Sequence, residues 1–268
     1  MTEQSALYVY ALVPDRPGAA DGVTGLDGRP LRLAAVPGTG VAALVHDAAP
    51  TPFEGGDDEV RRWVAEQSEA VTAVWERTGS VLPMTFNVLV AGDPGAGRGA
   101  EERLADWVAE QEPAVGARLE ELAGRCELRV EITLDRAAVA GDGPHAPEEA
   151  ADEARSPGMR RLLAKQRERA ARDAAGQLAD ALHAEVRHRL LSLAEDLRDR
   201  GPTRRADDET AVLSAALLVR REDIDAVGAV LSDLGARQPA VRIRFLGPWP
   251  PFSFTDDHHR AHAGQTAP

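Results

Sequence analysis

Glu127–Asp135 reads ELRVEITLD, with polar and apolar residues alternating without a break. Side chains two apart share one face of a strand, so Leu128, Val130, Ile132 and Leu134 point to a core. Glu127, Arg129, Glu131 and Thr133 point away from it. Towards the C-terminus, AVAGDGPHAPEEAADEAR reads as a mobile loop. Ser156 then caps a helix with Pro157 at its first position. Ala170, Ala174, Leu178, Leu182, Val186, Leu190, Leu193 and Leu197 mark one stripe, which predicts a helix over about 157–200. Forty helical residues at ~1.5 Å each would span roughly 60 Å, longer than a small domain, so the helix either bends near Gly176 or projects. Gly201-Pro202 ends it. TRRADDE and TAVLSAALLVR predict a short strand, a turn and a long buried strand. Glu222–Leu234 predicts an amphipathic helix and VRIRFLG the last strand. The order β-α-β-β-α-β defines a split-βαβ, ferredoxin-like sheet.

Towards the N-terminus the pattern weakens but keeps its outline. Leu7–Val13 is β-branched and aromatic and stops at Pro14, hence a buried strand. After a Gly/Pro/Asp-rich stretch, LRLAAV and VAALVHD flank Pro37-Gly38-Thr39-Gly40, a hairpin signal. Asp57 and Asp58 are placed to cap a helix whose Trp63, Val64, Gln67, Val71, Val74 and Trp75 follow helical spacing, with Gly79 as its stop. VLPMTFNVLV (Val81–Val90) predicts a strand that Pro83 confines to a sheet edge or bulge. A helix over about Ala100–Ala123 follows, and Pro113 is expected to kink or split it. The fold class is therefore α+β: two domains with ferredoxin-like (split βαβ) elements, the second carrying the long helix. The expected boundaries are 1–125, 126–254 and a flexible tail over 255–268.

Composition narrows the function. Of 268 residues, 43% are hydrophobic but only 4% aromatic, so the core is built from Ala, Val and Leu. The net charge is −13, which argues against nucleic acid as a partner. Arginines are interleaved with acids, as in EERLADW and REDIDAV, the pattern of solvated helix faces. Cys126 is the single cysteine, so no disulfide can form within the chain, and nothing local would activate it as a nucleophile. The N-terminus lacks the basic and apolar regions of a signal peptide, and no apolar run is long enough to span a bilayer. The expected protein is soluble and cytoplasmic, with no membrane association.

Five segments, LYVYALV with VTGLDGRPLRLAAVPGTGVAALVHD, SVLPMTFNVLV, LAGRCELRVEITLD, SPGMRRLLAKQRERA and FLGPWPPFSF, resemble the gas vesicle protein F/L family in its order over about residues 7–254. GPWPPFSF is the most specific. The family commonly has a basic residue and a glycine where Thr85 and Asn87 stand, and Tyr where Phe252 stands. The resemblance implies a cytoplasmic, non-enzymatic accessory protein for building gas vesicles. It implies contact with the small hydrophobic shell protein and other gas vesicle accessory proteins, minor association with the vesicle, and two domains with ferredoxin-like elements.

Other candidates read more plainly. Gly92–Gly99 sits where a phosphate loop would, but Arg98-Gly99 stands where a Walker loop needs Lys then Ser or Thr. His258, His259 and His262 have partial metal-ligand spacing in a segment with no apolar face. His183 and His188 read as surface residues, and Asp207, Asp208 and Glu209 as a turn. No catalytic, cofactor or metal residues are expected. Trp249, Phe252 and Phe254 are the candidate partner-binding residues, set among prolines that lower the cost of ordering; packing onto the fold is their other reading. The leading function is a factor that binds the shell subunit during vesicle nucleation or assembly, or is built into the vesicle in small amounts. The alternative is a ferredoxin-like small-molecule sensor or enzyme unrelated to flotation.

Overall fold

The computed structural model describes residues 5–141, 156–201 and 208–255. The chain forms two compact units, Met1–Cys126 with Trp249–Pro268, and Glu127–Pro248. The GPWPPFSF run thus divides after Pro248, whereas the sequence grouped all of it with the second domain.

In the first unit, β1 (Ala6–Pro14) lies at the centre of a sheet with β2 (Arg32–Ala35), β3 (Val41–Ala48), β4 (Leu82–Pro83) and β5 (Leu89–Ala91). The order is β2-β3-β1-β4, and β5 also pairs with β1. The β1/β3 ladder is antiparallel, sets Tyr8 opposite His46 and Leu12 opposite Ala43, and shifts register between Val9 and Ala11. The predicted strand over 81–90 is two short strands. Pro83 has no N–H for the ladder, and Asn87 adopts φ 70 between the two pieces.

The helices α1 (Asp57–Thr78) and α2 (Ala100–Glu121) both pack on β1. The α1 N-cap is Gly56; Asp57 and Asp58, expected as caps, occupy the first turn, where their charge meets the positive helix end. Val64 lies off the buried stripe and is exposed. Gly79, at φ 82, ends the helix as predicted, its N–H reaching the Trp75 carbonyl. The expected split of α2 at Pro113 does not occur. Pro113 lies on the exposed face, opposite buried Leu104, Val108, Val115 and Leu119, where the carbonyl it leaves unpaired can meet water.

The second unit is built on β6 (Arg125–Asp135), α3 (Arg136–Gly141), α4 (Pro157–Leu191), β7 (Asp196–Asp199), β8 (Glu209–Arg220), α5 (Ile224–Arg237) and β9 (Val241–Trp249). Its strand order is β7-β8-β6-β9. Counting strands within each unit, and β4 and β5 as one interrupted strand, both sheets follow 2-3-1-4. Ser156 caps α4 as expected, its Oγ accepting from the Met159 N–H. The helix stops at Leu191, short of the predicted 200. Leu197 belongs to β7 and pairs with Leu217. The buried stripe is Ala175, Ala179, Leu182, Val186 and Leu190. The predicted stripe drifted because successive i+4 steps rotate about 40° around a helix of 3.6 residues per turn. The short strand expected within 203–209 falls largely outside the described residues; β8 pairs with Asp196–Asp199. Glu127 and Thr133, placed on the solvent side by alternation, are both buried, Glu127 fully and with Arg129 Nε at 2.8 Å. Among the described residues no helix is long and apolar enough to cross a membrane.

Candidate functional site

Two surfaces collect the informative residues. The first lies in the first unit, where β1 presents Tyr8 and Tyr10, both fully buried. Tyr8 stacks on His46 at 5.4 Å between ring centroids and meets Phe53 edge-on at 5.5 Å. Trp63 of α1 touches Phe53 and Phe86 and closes the cluster. The Tyr8 hydroxyl donates to Gln67 Oε1 at 2.7 Å and accepts from the Asn87 N–H at 3.0 Å. The Tyr10 hydroxyl accepts from the Leu26 N–H at 2.8 Å and lies 2.9 Å from His46 Nδ1. A hydroxyl that already accepts satisfies every atom by donating to Nδ1, which leaves the His46 proton on Nε2.

Burial pushes the Tyr8 hydroxyl up to about 12 and raises Tyr10 as well. Burial, with Arg29 adding to it, pushes His46 down to about 4. None of the three changes charge near neutral pH, so the cluster is uncharged there and its hydrogen bonds hold the rings in place. Asn87 reaches across with both ends of its amide, Oδ1 accepting from the Phe53 N–H at 2.8 Å and Nδ2 donating to its carbonyl at 3.0 Å. Asp27, at φ 52, accepts from Trp63 Nε1 and Arg62, which together hold its carboxyl below the usual range. A cavity of about 220 Å³ opens beside His46, Arg29, Asp47 and Thr51.

The second surface belongs to β9, an edge strand of the second sheet. Arg242 and Arg244 pair with Asp135 and Glu131 of β6 at 2.9 and 3.3 Å. Ile243 and Phe245 turn the other way, towards α5, where Gly235 and Gly228 lie against them. A groove of about 500 Å³ results, mostly apolar through Ile224, Leu231, Ile243 and Phe245, with Asp225 and Ser232 also on its lining. Phe245 and Leu246 are 36% and 44% exposed. Sequence reasoning missed this groove; its signal was Gly228 and Gly235, seven apart on one helix face.

Of the predicted partner-binding residues, Phe254 is buried, while Trp249 and Phe252 are half-buried. Pro250 and Pro251 are buried, and the Arg118 guanidinium donates to the Phe254 carbonyl. Gly247 adopts φ 120, and a Cβ there would stand 2.8 Å from the Glu127 carbonyl oxygen. Several amides of the Gly92–Gly99 loop are already used: Asp93 and Arg98 exchange backbone hydrogen bonds, Gly97 N–H reaches Pro94, Ala96 N–H reaches the Asp93 carboxylate, and Gly92 N–H reaches the Ser5 carbonyl. His183 is half-buried, its Nδ1 2.7 Å from the Val212 carbonyl, and His188 is exposed. Asp208 lies in a turn and Glu209 opens β8; Asp207, His258, His259 and His262 lie outside the described residues. Cys126 is buried. Among the described residues no group of three or more His, Cys, Asp or Glu could hold a metal ion.

The sequence model of the family described as gas vesicle synthesis protein GvpL/GvpF matches residues 6–256. The chain belongs to the GvpL/GvpF family. It is 33% identical to gas vesicle protein L2 of Halobacterium salinarum, covering 93% of this chain and 91% of that one. It is 30% identical to gas vesicle protein L of a Streptomyces species, covering 99% of this chain and all of the relative. The solved structure of GvpF from Anabaena superposes with a TM-score of 0.68 over 94% of this chain and 98% of that one; at 17% identity this speaks for the fold. Two of the segments that carried the GvpL/GvpF resemblance, LYVYALV and LPMTFN, meet in the tyrosine cluster. The left-handed backbone at Asn87, φ 70, is a conformation glycine adopts without strain. Here the asparagine tolerates that conformation and adds the clamp on Phe53.

Proposed function

We propose that this GvpL/GvpF member is a cytoplasmic accessory protein that binds the hydrophobic gas vesicle shell subunit and assists nucleation or assembly, staying with the vesicle as a minor component. The observation that carries this reading is the β9 edge beside the apolar groove. An edge strand offers backbone hydrogen bonds to an added strand. The groove beside it takes apolar side chains, and the net charge of −13 keeps a complex with an aggregation-prone subunit in solution. In the first unit, half-buried Trp249 and Phe252 are separate partner-binding candidates, with buried Phe254 anchoring the run. Other vesicle accessory proteins are further partners under this reading. We read both sheets as ferredoxin-like, supported by their shared 2-3-1-4 order.

The test is saturable binding of purified shell subunit in pull-down or calorimetry, with Phe245→Ser/Leu246→Ser weakening it at least about tenfold. Absence of binding to the shell subunit and to other vesicle proteins would defeat the proposal. Retention on purified vesicles through a high-salt wash tests the minor-component part, and complete loss in the wash removes it.

A further inference from the structure

The leading turns of α4 break the charge pattern of the rest of the molecule. Residues 157–172 carry Arg160, Arg161, Lys165, Arg167, Arg169 and Arg172 against Glu168, a net of +5 that leaves −18 for the remainder of a −13 chain. No side chain from Pro157 to Ala174 is buried, and packing starts at Ala175. Met159 and Leu162 are 49% and 53% exposed. At about 100° per residue, Met159, Leu162, Leu163 and Ala170 share one arc, and the six cations take the rest of the circumference. Cations at a helix start oppose its dipole; Arg172 pairs with Glu168 at 3.0 Å, and α3 contacts α4, but no side chain of this stretch is buried by it. Helix formation therefore does not explain this composition, whereas a negatively charged partner surface does.

Such a surface exists on the same chain. Helix α2 carries seven acids against Arg103 and Arg118, a net of −5. Glu102, Asp106, Glu110, Glu120 and Glu121 lie on the face opposite its buried stripe. Asp106 and Glu121 already meet Arg98 and Arg118. Between the carboxylates run exposed Ala109, Pro113 and Ala117, a low strip that large side chains can cover. Sixteen residues of α4 are about 24 Å long and the 22 of α2 about 33 Å, so one fits along the other.

We propose that the basic leading half of α4 docks on the α2 ridge of a second copy of this chain. Met159 and Leu162 lie on the Ala109/Pro113/Ala117 strip, and the flanking cations face the carboxylates. The contact joins different patches on the two copies, so it repeats head to tail into rings or filaments. It stands independently of shell-subunit binding.

Sedimentation velocity over a concentration series at about 50 mM and about 500 mM salt tests it. The expected result is concentration-dependent assembly at low salt, with an association constant at least about tenfold smaller at high salt. Arg161→Glu/Lys165→Glu/Arg169→Glu should abolish assembly, and so should Glu102→Arg/Glu110→Arg/Glu120→Arg. Mixing the two variants should restore it, because each then offers the charge the other needs. Circular dichroism verifies that each remains folded; the milder Lys165→Gln/Arg169→Gln pair, expected to weaken assembly several-fold, covers a folding failure. A chain that stays monomeric at every concentration and salt overturns the proposal. So does assembly that survives charge reversal, or salt-sensitive binding of anionic lipid vesicles without self-association. Shell-subunit capture by the same variants should be unchanged, which separates this proposal from the functional one.

Discussion

Replacing Tyr10 by Phe removes one oxygen and strands two partners. The hydroxyl accepts from the Leu26 N–H at 2.8 Å and lies 2.9 Å from His46 Nδ1, in a site where Tyr10 and Leu26 are fully buried and His46 is 3% exposed. Gly25 lies so close that even a Cβ there would overlap the Tyr10 ring. Each buried group left without a partner costs about 1–1.5 kcal/mol, so Tyr10→Phe should destabilise the first unit by about 2–3 kcal/mol. The four tryptophans, Trp63, Trp75, Trp107 and Trp249, all belong to that unit. Tryptophan fluorescence during urea unfolding therefore reads it selectively, and far-UV circular dichroism reads both units. With a slope of about 2 kcal/mol per molar urea, the fluorescence midpoint should fall by about 1 M. A shift below about 0.2 M would refute the claim that this hydroxyl joins β1, β3 and the Leu26 turn.

His46 makes the same unit sensitive to acid. Its folded pKa is pushed down to about 4 from 6.5, so the unfolded chain binds the extra proton first as pH falls. Stability should be undiminished above about pH 6.5 and fall between there and about pH 4. His46→Gln should flatten that part of the curve, and an unchanged slope would count against the buried neutral imidazole. Asn87→Gly should keep the backbone at φ 70 and lose only the Phe53 clamp, about 1–2 kcal/mol, whereas Asn87→Val should lose more than that because a β-branched residue resists this conformation. Equal midpoints for the two would contradict this. Gly247→Ala would set a Cβ 2.8 Å from the Glu127 carbonyl at φ 120, costing about 2–4 kcal/mol in the second unit, to be read by circular dichroism.

The sequence made the repeated, local patterns legible and left the long-range ones hidden. Alternation located β6 because its apolar side chains all enter one core, and Gly79 announced the end of α1 because only a left-handed residue closes that turn. The end of α4 was overshot because leucines at 193 and 197 continue the helical spacing into a turn and a strand. Glu127 and Thr133 were misread because what covers them comes from elsewhere in the chain, and no local pattern reports those neighbours. The tyrosine cluster depends on the register that sets Tyr8 opposite His46 across 38 residues. The β9 groove depends on two glycines in α5 leaving room beside Ile243 and Phe245, which composition does not encode.

Calorimetric titration of purified shell subunit into the wild-type chain and the Phe245→Ser/Leu246→Ser variant bears most directly on the proposed role. Saturable binding by the wild-type chain, weakened at least about tenfold in the variant, is the outcome this account requires. Equal binding by both would move the contact away from β9, and no heat of binding from either would contradict the proposed capture of the shell subunit.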